Sequence, residues 1–582
     1  MDFKLIKALR ELGFAKTCFY ALYKTGLFSG YSRWATPNCR KYAAQSPGLA
    51  PLTHFPQVSR QATESAVIAA DEIIRGNLRL FGGEPVPFDL KSGASREHWT
   101  VLEKKAPEGD IKLTWEPARF GWAITLARAY AFSNNPVYAQ AFWDKTRLFF
   151  EAHPPYFGRQ WQSAQEVAIR LMALVFCDRV LTGAPSSTLD NHQALWAAAA
   201  EHAARIPPTL VYARAQNNNH LLSEAAGLYT AGVYLPEHPR AEKWRQLGWH
   251  WLNWGFQNQI SEFGTYIQHS TNYHRLMLQI ALFVDHLRRT SADAEWPPAT
   301  LERLGAATRW LWALTDPETG QVPNLGANDG AYLFPLSAQP WEDFRPVLEA
   351  AARAFLKTSI YDNPELEEMG DWFDIARPAP FGQKQPQVPD MLRVVSSKGR
   401  GFLRAAQFTD RPSHADQLHV DLWWDGVNIA MDPGTYSYNA PAPWENVLQS
   451  SQVHNTLTID GQDQMTLTGR FLWLDWAQAT VLGRELGEDD QFNGVSAVHD
   501  GYQKLGAYHQ RRLNGLENGW EVVDTILKRD ERDEKAHEVR LTWLMPDWGW
   551  AAEAEDTLYI TGPKFSYRLK ITGADQINLV RG

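Results

Sequence analysis

One change of pattern divides this chain and limits its possible folds more than any other feature. From about residue 60 to 375, apolar residues recur at helical spacing in runs such as Phe120 to Phe132, Glu166 to Leu181, Leu195 to Ala204 and Leu221 to Tyr234. Short Pro, Gly and Asn breaks part these runs. Their apolar faces are broad, as a helix needs when it packs against both a sequential partner and an inner layer, so helical hairpins arranged as a toroid or solenoid are expected. No fixed sequence period is found, which argues against a regular repeat array. The proline-rich, polar stretch from Arg377 to Pro389 then interrupts the pattern with the composition of an exposed connector. Beyond it, Phe402 to Phe408, His419 to Asp425, Thr456 to Asp460, Trp520 to Leu527 and Val539 to Leu544 are β-rich segments bounded by turn residues. The reading is an α+β multidomain chain: an N-terminal helical segment over 1–60, a helical toroid over 61–378 and an antiparallel β-sandwich over 390–582. At 582 residues the chain exceeds what one core holds, given about one domain per 100–200 residues.

Composition narrows the function. The net charge of −9, with no long Lys/Arg block, argues against a nucleic-acid or anionic-membrane partner, so any polyanion must meet a local positive potential. The 25 tryptophans exceed the usual need of a core, and exposed aromatic faces stack on sugars, although core filling is the ordinary role of any one of them. Three cysteines, Cys18, Cys39 and Cys177, make neither a disulfide framework nor a Cys-based zinc site. Lys4, Lys7, Arg10, Glu11 and Lys16 punctuate the first twenty residues, which read as an amphipathic helix rather than a signal peptide, and a cytoplasmic location is expected. No segment has the roughly 18 uninterrupted apolar residues of a membrane span.

Three fragments carry groups able to move protons, neutralise a carboxylate or hold a metal: Asn217-Asn218-Asn219-His220, Thr271-Asn272-Tyr273-His274 and Ser413-His414-Ala415-Asp416. They fall on both sides of the connector, where enzyme clefts commonly form. Three amides at one helix start are more than a cap requires, which leaves donors for an anion. Tyr273 lies near a helix N-terminus, whose positive potential would ease ionisation of a phenol; sealing the helix end by packing is the alternative. His414, Asp432 and His454 form a candidate zinc set with one open position, and Asp416 is an alternative partner that orients an imidazole.

The ordered blocks His414-Ala415-Asp416-Gln417-Leu418, Asp432-Pro433-Gly434-Thr435-Tyr436 and His454-Asn455-Thr456-Leu457 with Asp460-Gly461 resemble the heparinase II/III-like polysaccharide lyases. Trp115 to Arg119, Trp161-Gln162-Ser163 with Glu166 and Arg170, Asn219-His220, Gln268 to His274 and Asn328-Asp329-Gly330 extend the likeness over most of the chain. The resemblance implies an incomplete α/α toroid followed by an antiparallel β-sandwich, with a substrate cleft between them. It further implies β-elimination on a uronate-containing polysaccharide such as hyaluronan, chondroitin sulfate, heparan sulfate or alginate. In that scheme Asn219 and His220 disperse the carboxylate charge and Tyr273 is the acid, serving also as the base where the proton and leaving group share one face. Arg119, Arg275, His274 and Tyr436 are expected substrate contacts. Arg275, His274 and Arg119 are also candidates for lowering the phenol pKa. His414, Asp432 and His454 are expected to hold a structural zinc ion.

One position departs from the family pattern. Many relatives carry a base histidine two residues before the metal-binding His414, where this chain has Pro412. Either His220 or Tyr273 takes over proton abstraction, or the chain is inactive; the intact Asn219, His220 and Tyr273 set favours the first. Metal-assisted glycan hydrolysis through His414, Asp432 and His454, and non-catalytic binding of acidic polysaccharide, are the competing functions.

Overall fold

A computed structural model describes residues 3–36, 47–107, 109–330, 332–379, 384–487, 491–530, 532 and 535–581. Cys39 and positions 380–383 of the connector lie outside the described residues. The helices Gly121–Ser133, Ala164–Leu181, Asn219–Tyr234, Thr271–Thr290 and Arg345–Ala351 pack on one another in chain order. Each of the first four also packs against the helix that follows it: Pro136–Ala152, Leu189–Arg205, Ala241–Gln259 and Pro298–Leu314 respectively. This is the two-layered helical toroid expected from the broad apolar faces. Every residue of Ala164–Leu181 is buried, so this helix is covered all round and shows no single apolar stripe. Close approach depends on small residues: a Cβ on Gly227 would lie 2.7 Å from the Ala168 Cβ, and one on Gly248 would lie 2.5 Å from the Tyr229 nitrogen. A short hairpin, Asn77–Arg79 with Pro85–Pro87, was not apparent in the sequence.

The last helix of the toroid ends at Trp372, and the strands of the β domain begin at Met391. The main sheet runs in the spatial order Gly519–Lys528, Ala507–Leu516, Phe492–His499, Met391–Val395, Gly399–Arg404, Val420–Trp424, Val427–Ala430, and Ala479–Leu486 also pairs with Phe492–His499. Pairing is antiparallel except where Phe492 meets Val394 in parallel register. Smaller antiparallel pairings complete the β domain, among them Leu457–Ile459 with Val539–Leu541.

The junction between toroid and β domain is apolar and polar at once. Trp310, Leu314 and Leu325 share a buried cluster with Met391, Phe402 and Trp423. Beside it, Asp390 accepts hydrogen bonds from Thr265 Oγ1 at 2.8 Å and Trp310 Nε1 at 3.0 Å, and Arg400 pairs with Asp316 at 2.6 Å. The N-terminal helices Phe3–Leu12 and Phe14–Phe28 add a third tie, with Lys7 on Asp475 at 2.8 Å and Lys16 on Asp410. Two bodies fastened in this way hold their facing loops in fixed register, which is what a cleft between them requires. Among the described residues, no helix is long and apolar enough to cross a membrane.

Candidate active site

A cleft of about 340 Å³ opens between the toroid and the β domain, and residues from all three fragments line it. The Asn219–Tyr234 helix starts at its floor. Asn218 is the cap, its side chain accepting from the His220 nitrogen at 3.1 Å, and Asn217 crosses the junction to donate to Asp410 at 2.6 Å. Asn219 has neither task. Its backbone N–H donates to Gln268 Oε1 at 2.9 Å, while its side-chain amide makes no hydrogen bond among the described residues. His220 is the one residue of this helix that is not buried. Enclosure in the cleft, with Arg411 nearby, holds its pKa down at about 4, so the ring is neutral at physiological pH. Glu224, 3.9 Å from its Nδ1, has its carboxyl pushed well up by burial, against the opposing charge of Arg205.

Tyr273 lies in the first turn of Thr271–Thr290, where Ser270 caps the helix by accepting from the Tyr273 nitrogen at 3.1 Å. The helix-start placement holds, but the expected electrostatic consequence does not. Burial, followed by the charge of Asp329, pushes the phenol pKa well above its ordinary value, and the hydroxyl donates to Asp329 Oδ2 at 2.6 Å. Desolvation of a phenolate beside a carboxylate outweighs the helix potential. Tyr273 is therefore held protonated, the state of an acid rather than a base.

Arg119 lines the cleft between two carboxylates, bidentate on Glu166 at 2.7 and 2.9 Å and bonded to Glu116 at 2.7 Å. Burial lifts the Glu116 carboxyl to about 7 despite the guanidinium. Three expected substrate contacts lie elsewhere. Arg275 is wholly buried, caged by the rings of Tyr332, Trp341 and Phe344 at 4.2–4.5 Å. His274 stacks on Trp310 and bonds to the Ala307 carbonyl at 2.9 Å. Tyr436 is 71% exposed and does not line the cleft. Tyr438, two residues later, does line it, with Lys112 Nζ 4.4 Å from its ring centroid and Phe471 edge-on at 4.8 Å. Asp110 pins this loop to the toroid by accepting from Ser437 Oγ at 2.8 Å.

Beneath the cleft, the two expected metal-site histidines meet, with His414 Nδ1 3.2 Å from His454 Nε2. The carboxylate grouped with them is Asp416 rather than Asp432: one ligand atom from each of His414, Asp416 and His454 lies within 4.8 Å of the others. Asp432 sits one step outside, 3.8 Å from His454 Nε2 and 3.7 Å from His419, which the sequence reading missed. Asp416 is bonded to Arg404 through Oδ1 at 2.8 Å, while its Oδ2 is buried without a partner. The Ser450 carbonyl lies 2.8 Å from His454 Nδ1; donation there leaves the Nε2 lone pair facing the cluster. Two neutral imidazoles and an orphaned carboxylate oxygen fit a divalent cation.

Comparison with known proteins follows this division. The family described as "Heparinase II/III N-terminus" matches residues 83–332, and "Heparinase II/III-like, C-terminal" matches 402–568, so both halves of the cleft fall within the matches. A curated heparin-sulfate lyase of Bacteroides thetaiotaomicron is 29% identical over 419 residues, covering 66% of this chain and 56% of that protein; the match spans little more than half of that relative's length. A crystal structure of a heparinase III superposes with a TM-score of 0.60 at 18% identity, covering 94% of this chain and 83% of that one. A second heparinase III, with methylated lysines, gives 0.50 at 17% identity over 94% and 82% of the two chains. At these identities the superpositions establish the fold: an α/α toroid followed by a β-sandwich.

Proposed function

The chain belongs to the heparinase II/III-like family, and on that premise we propose that it is a glycosaminoglycan lyase that cleaves a uronate-containing polymer by β-elimination. The observation that carries this reading is one cleft holding a neutral imidazole, a protonated phenol and an unpartnered amide. The C5 proton of a uronate is acidic only when the adjacent carboxylate charge is dispersed. The Asn219 amide, with the Gln268 side chain beside it, supplies donors for that carboxylate. His220 takes the C5 proton, the C5–H electrons become the C4–C5 double bond, the C4–O4 bond breaks, and Tyr273 protonates the departing oxygen. Water takes no part.

The name of the curated relative makes heparan-type polymers the first substrates to try. Incubation with heparan sulfate, chondroitin sulfates, hyaluronan and alginate should produce ultraviolet absorbance from the conjugated double bond, together with unsaturated oligosaccharides by mass. New reducing ends without absorbance would favour hydrolysis, and binding without either product would favour a non-catalytic role. The burial of Asp416 and His454 weighs against the hydrolytic alternative, since His414 alone of the set lines the cleft.

His414, Asp416 and His454 would hold a divalent cation, zinc by the chemistry of the set, with Asp432 and His419 around it. Such an ion would supply positive charge tying together the two β-domain segments that carry these ligands, under the cleft. We expect about one ion per chain by elemental analysis, and a Tm lower by roughly 5–10 °C after chelation, restored by zinc. A chain free of metal whose melting ignores both treatments would remove the ion from the reading.

A further inference from the structure

Among the described residues, four cations line the cleft, and three of them face carboxylates. Lys112 lies 3.7 Å from Asp110, Arg119 lies 2.7 Å from both Glu116 and Glu166, and Arg470 lies 2.6 Å from Glu445. Arg411 is different. Its Nη2 donates to the main-chain and side-chain oxygens of Gln216, and no described carboxylate pairs with it. Asp410, its chain neighbour, is the expected counter-ion, but other groups hold that carboxylate. Lys16 of the Phe14–Phe28 helix and Asn217 Nδ2 occupy Oδ2, and the Arg411 backbone N–H occupies Oδ1 at 2.9 Å. Lys16 and Asn217 thus keep the Asp410 carboxylate out of direct pairing with Arg411, which feels that charge only through space and lines the cleft without an ion pair among the described residues.

A row of aromatic rings leads away from the same point. Tyr212 lines the cleft edge-on to His220, with centroids 6.3 Å apart. Its ring stacks on Tyr23 at 4.3 Å and lies 6.4 Å from the ring of Tyr20, which is 47% exposed. Both Tyr20 and Tyr212 lie within electrostatic reach of Arg411, and Lys24 Nζ sits 5.3 Å from the Tyr20 ring. A ring row beside a free guanidinium suits a sugar that presents an apolar face and an anionic substituent.

We propose that Arg411, Tyr212 and Tyr20 form a distal subsite for an anionic sugar residue, next to the catalytic pocket and walled by the Phe14–Phe28 helix. Arg411 takes the carboxylate or sulfate, the rings take the apolar face, and Lys16 acts from outside the cleft by keeping Asp410 away from Arg411. This deepens the lyase reading and rests on it for the class of ligand.

The test is calorimetric binding of hexasaccharides to the full chain carrying Tyr273→Phe, with an unsulfated uronate hexasaccharide in one arm and a sulfated one in the other. Arg411→Met should weaken binding roughly ten-fold or more, with partial rescue by Arg411→Lys. Lys16→Met should weaken it several-fold by freeing Asp410. Tyr20→Ala should also weaken it several-fold, Tyr20→Phe should not, and the Tyr20→Ala loss should shrink for a disaccharide too short to reach the ring. Equal losses in both arms assign a carboxylate to Arg411; a loss confined to the sulfated arm assigns a sulfate. Unchanged hexasaccharide affinity in correctly folded Arg411→Met and Tyr20→Ala variants overturns the subsite. Absence of unsaturated products from the unsubstituted chain overturns the lyase reading instead, and the binding arms decide the subsite independently.

Discussion

Replacing Tyr273 with phenylalanine should lower kcat on a cleaved polymer by about 10²–10⁴-fold, the usual share of a positioned general acid, while substrate affinity changes by less than roughly ten-fold. The substitution removes one oxygen and the proton it carries. Asp329, the group bonded to Tyr273, is a carboxylate that accepts rather than donates in this contact, and the phenol of Tyr438, in hydrogen-bonding contact with Tyr273, is the neighbouring donor that sets the residual rate. The same contact predicts a cost in stability. Asp329 Oδ1 is buried without a partner, and losing the phenol would leave Oδ2 without this donor as well, a penalty of about 1–3 kcal/mol. Absorbance kinetics, calorimetric affinity and a thermal melt on one preparation separate these effects. A Tyr273→Phe enzyme with wild-type kcat would end the assignment of this phenol as the acid.

Why the sequence located Tyr273 but misplaced its neighbours is a matter of helix geometry. Successive residues on a helix point about 100° apart, so Tyr273, His274 and Arg275 cannot share one face. With the phenol in the cleft, His274 turns onto Trp310 and Arg275 turns into its cage of three rings. The fold itself was legible because helical spacing and strand composition are local, and both survive in the architecture. The amide run was legible in part: capping needs one residue, and the structure makes Asn218 the cap, sends Asn217 to Asp410 and leaves the Asn219 side chain unpartnered in the cleft. Long-range pairings were not legible. Asp432 and Asp416 are both carboxylates near His414 in the chain, and only the path of the loops groups Asp416 with both imidazoles and sets Asp432 between His454 and His419. Tyr438 escaped notice for a related reason: the loop after Gly434 has no strand periodicity to indicate which of Tyr436 and Tyr438 faces the toroid. Arg411 was hidden behind its neighbour Pro412, because its significance depends on Lys16, nearly four hundred residues earlier, occupying Asp410.

His220 bears the second large effect, because it is the neutral imidazole that lines the cleft beside the Asn219 amide. Substituting His220 with glutamine keeps a polar side chain of similar reach but removes the basic nitrogen, and kcat/KM should fall by about 10²–10⁴-fold. The pH profile supplies the sharper test. Desolvation within the cleft and the nearby guanidinium of Arg411 depress the imidazole pKa to about 4, so the basic form persists well below the ordinary histidine value of about 6.5. The sign follows: lowering pH from 7 to 5 leaves the base unprotonated and kcat/KM nearly level, and the acid limb begins as pH approaches 4. An unshifted histidine would instead have lost most of its basic form by pH 5. Because the Arg411 charge contributes to the depression, Arg411→Met should move the limb upward, toward 6.5. Circular dichroism across the same range separates titration from acid unfolding. If the limb is centred near 6.5, the cleft does not hold His220 as described. If His220→Gln retains full activity while Tyr273→Phe does not, the phenol performs both proton transfers, which would require bound substrate to reverse the unfavourable placement of its anion beside Asp329.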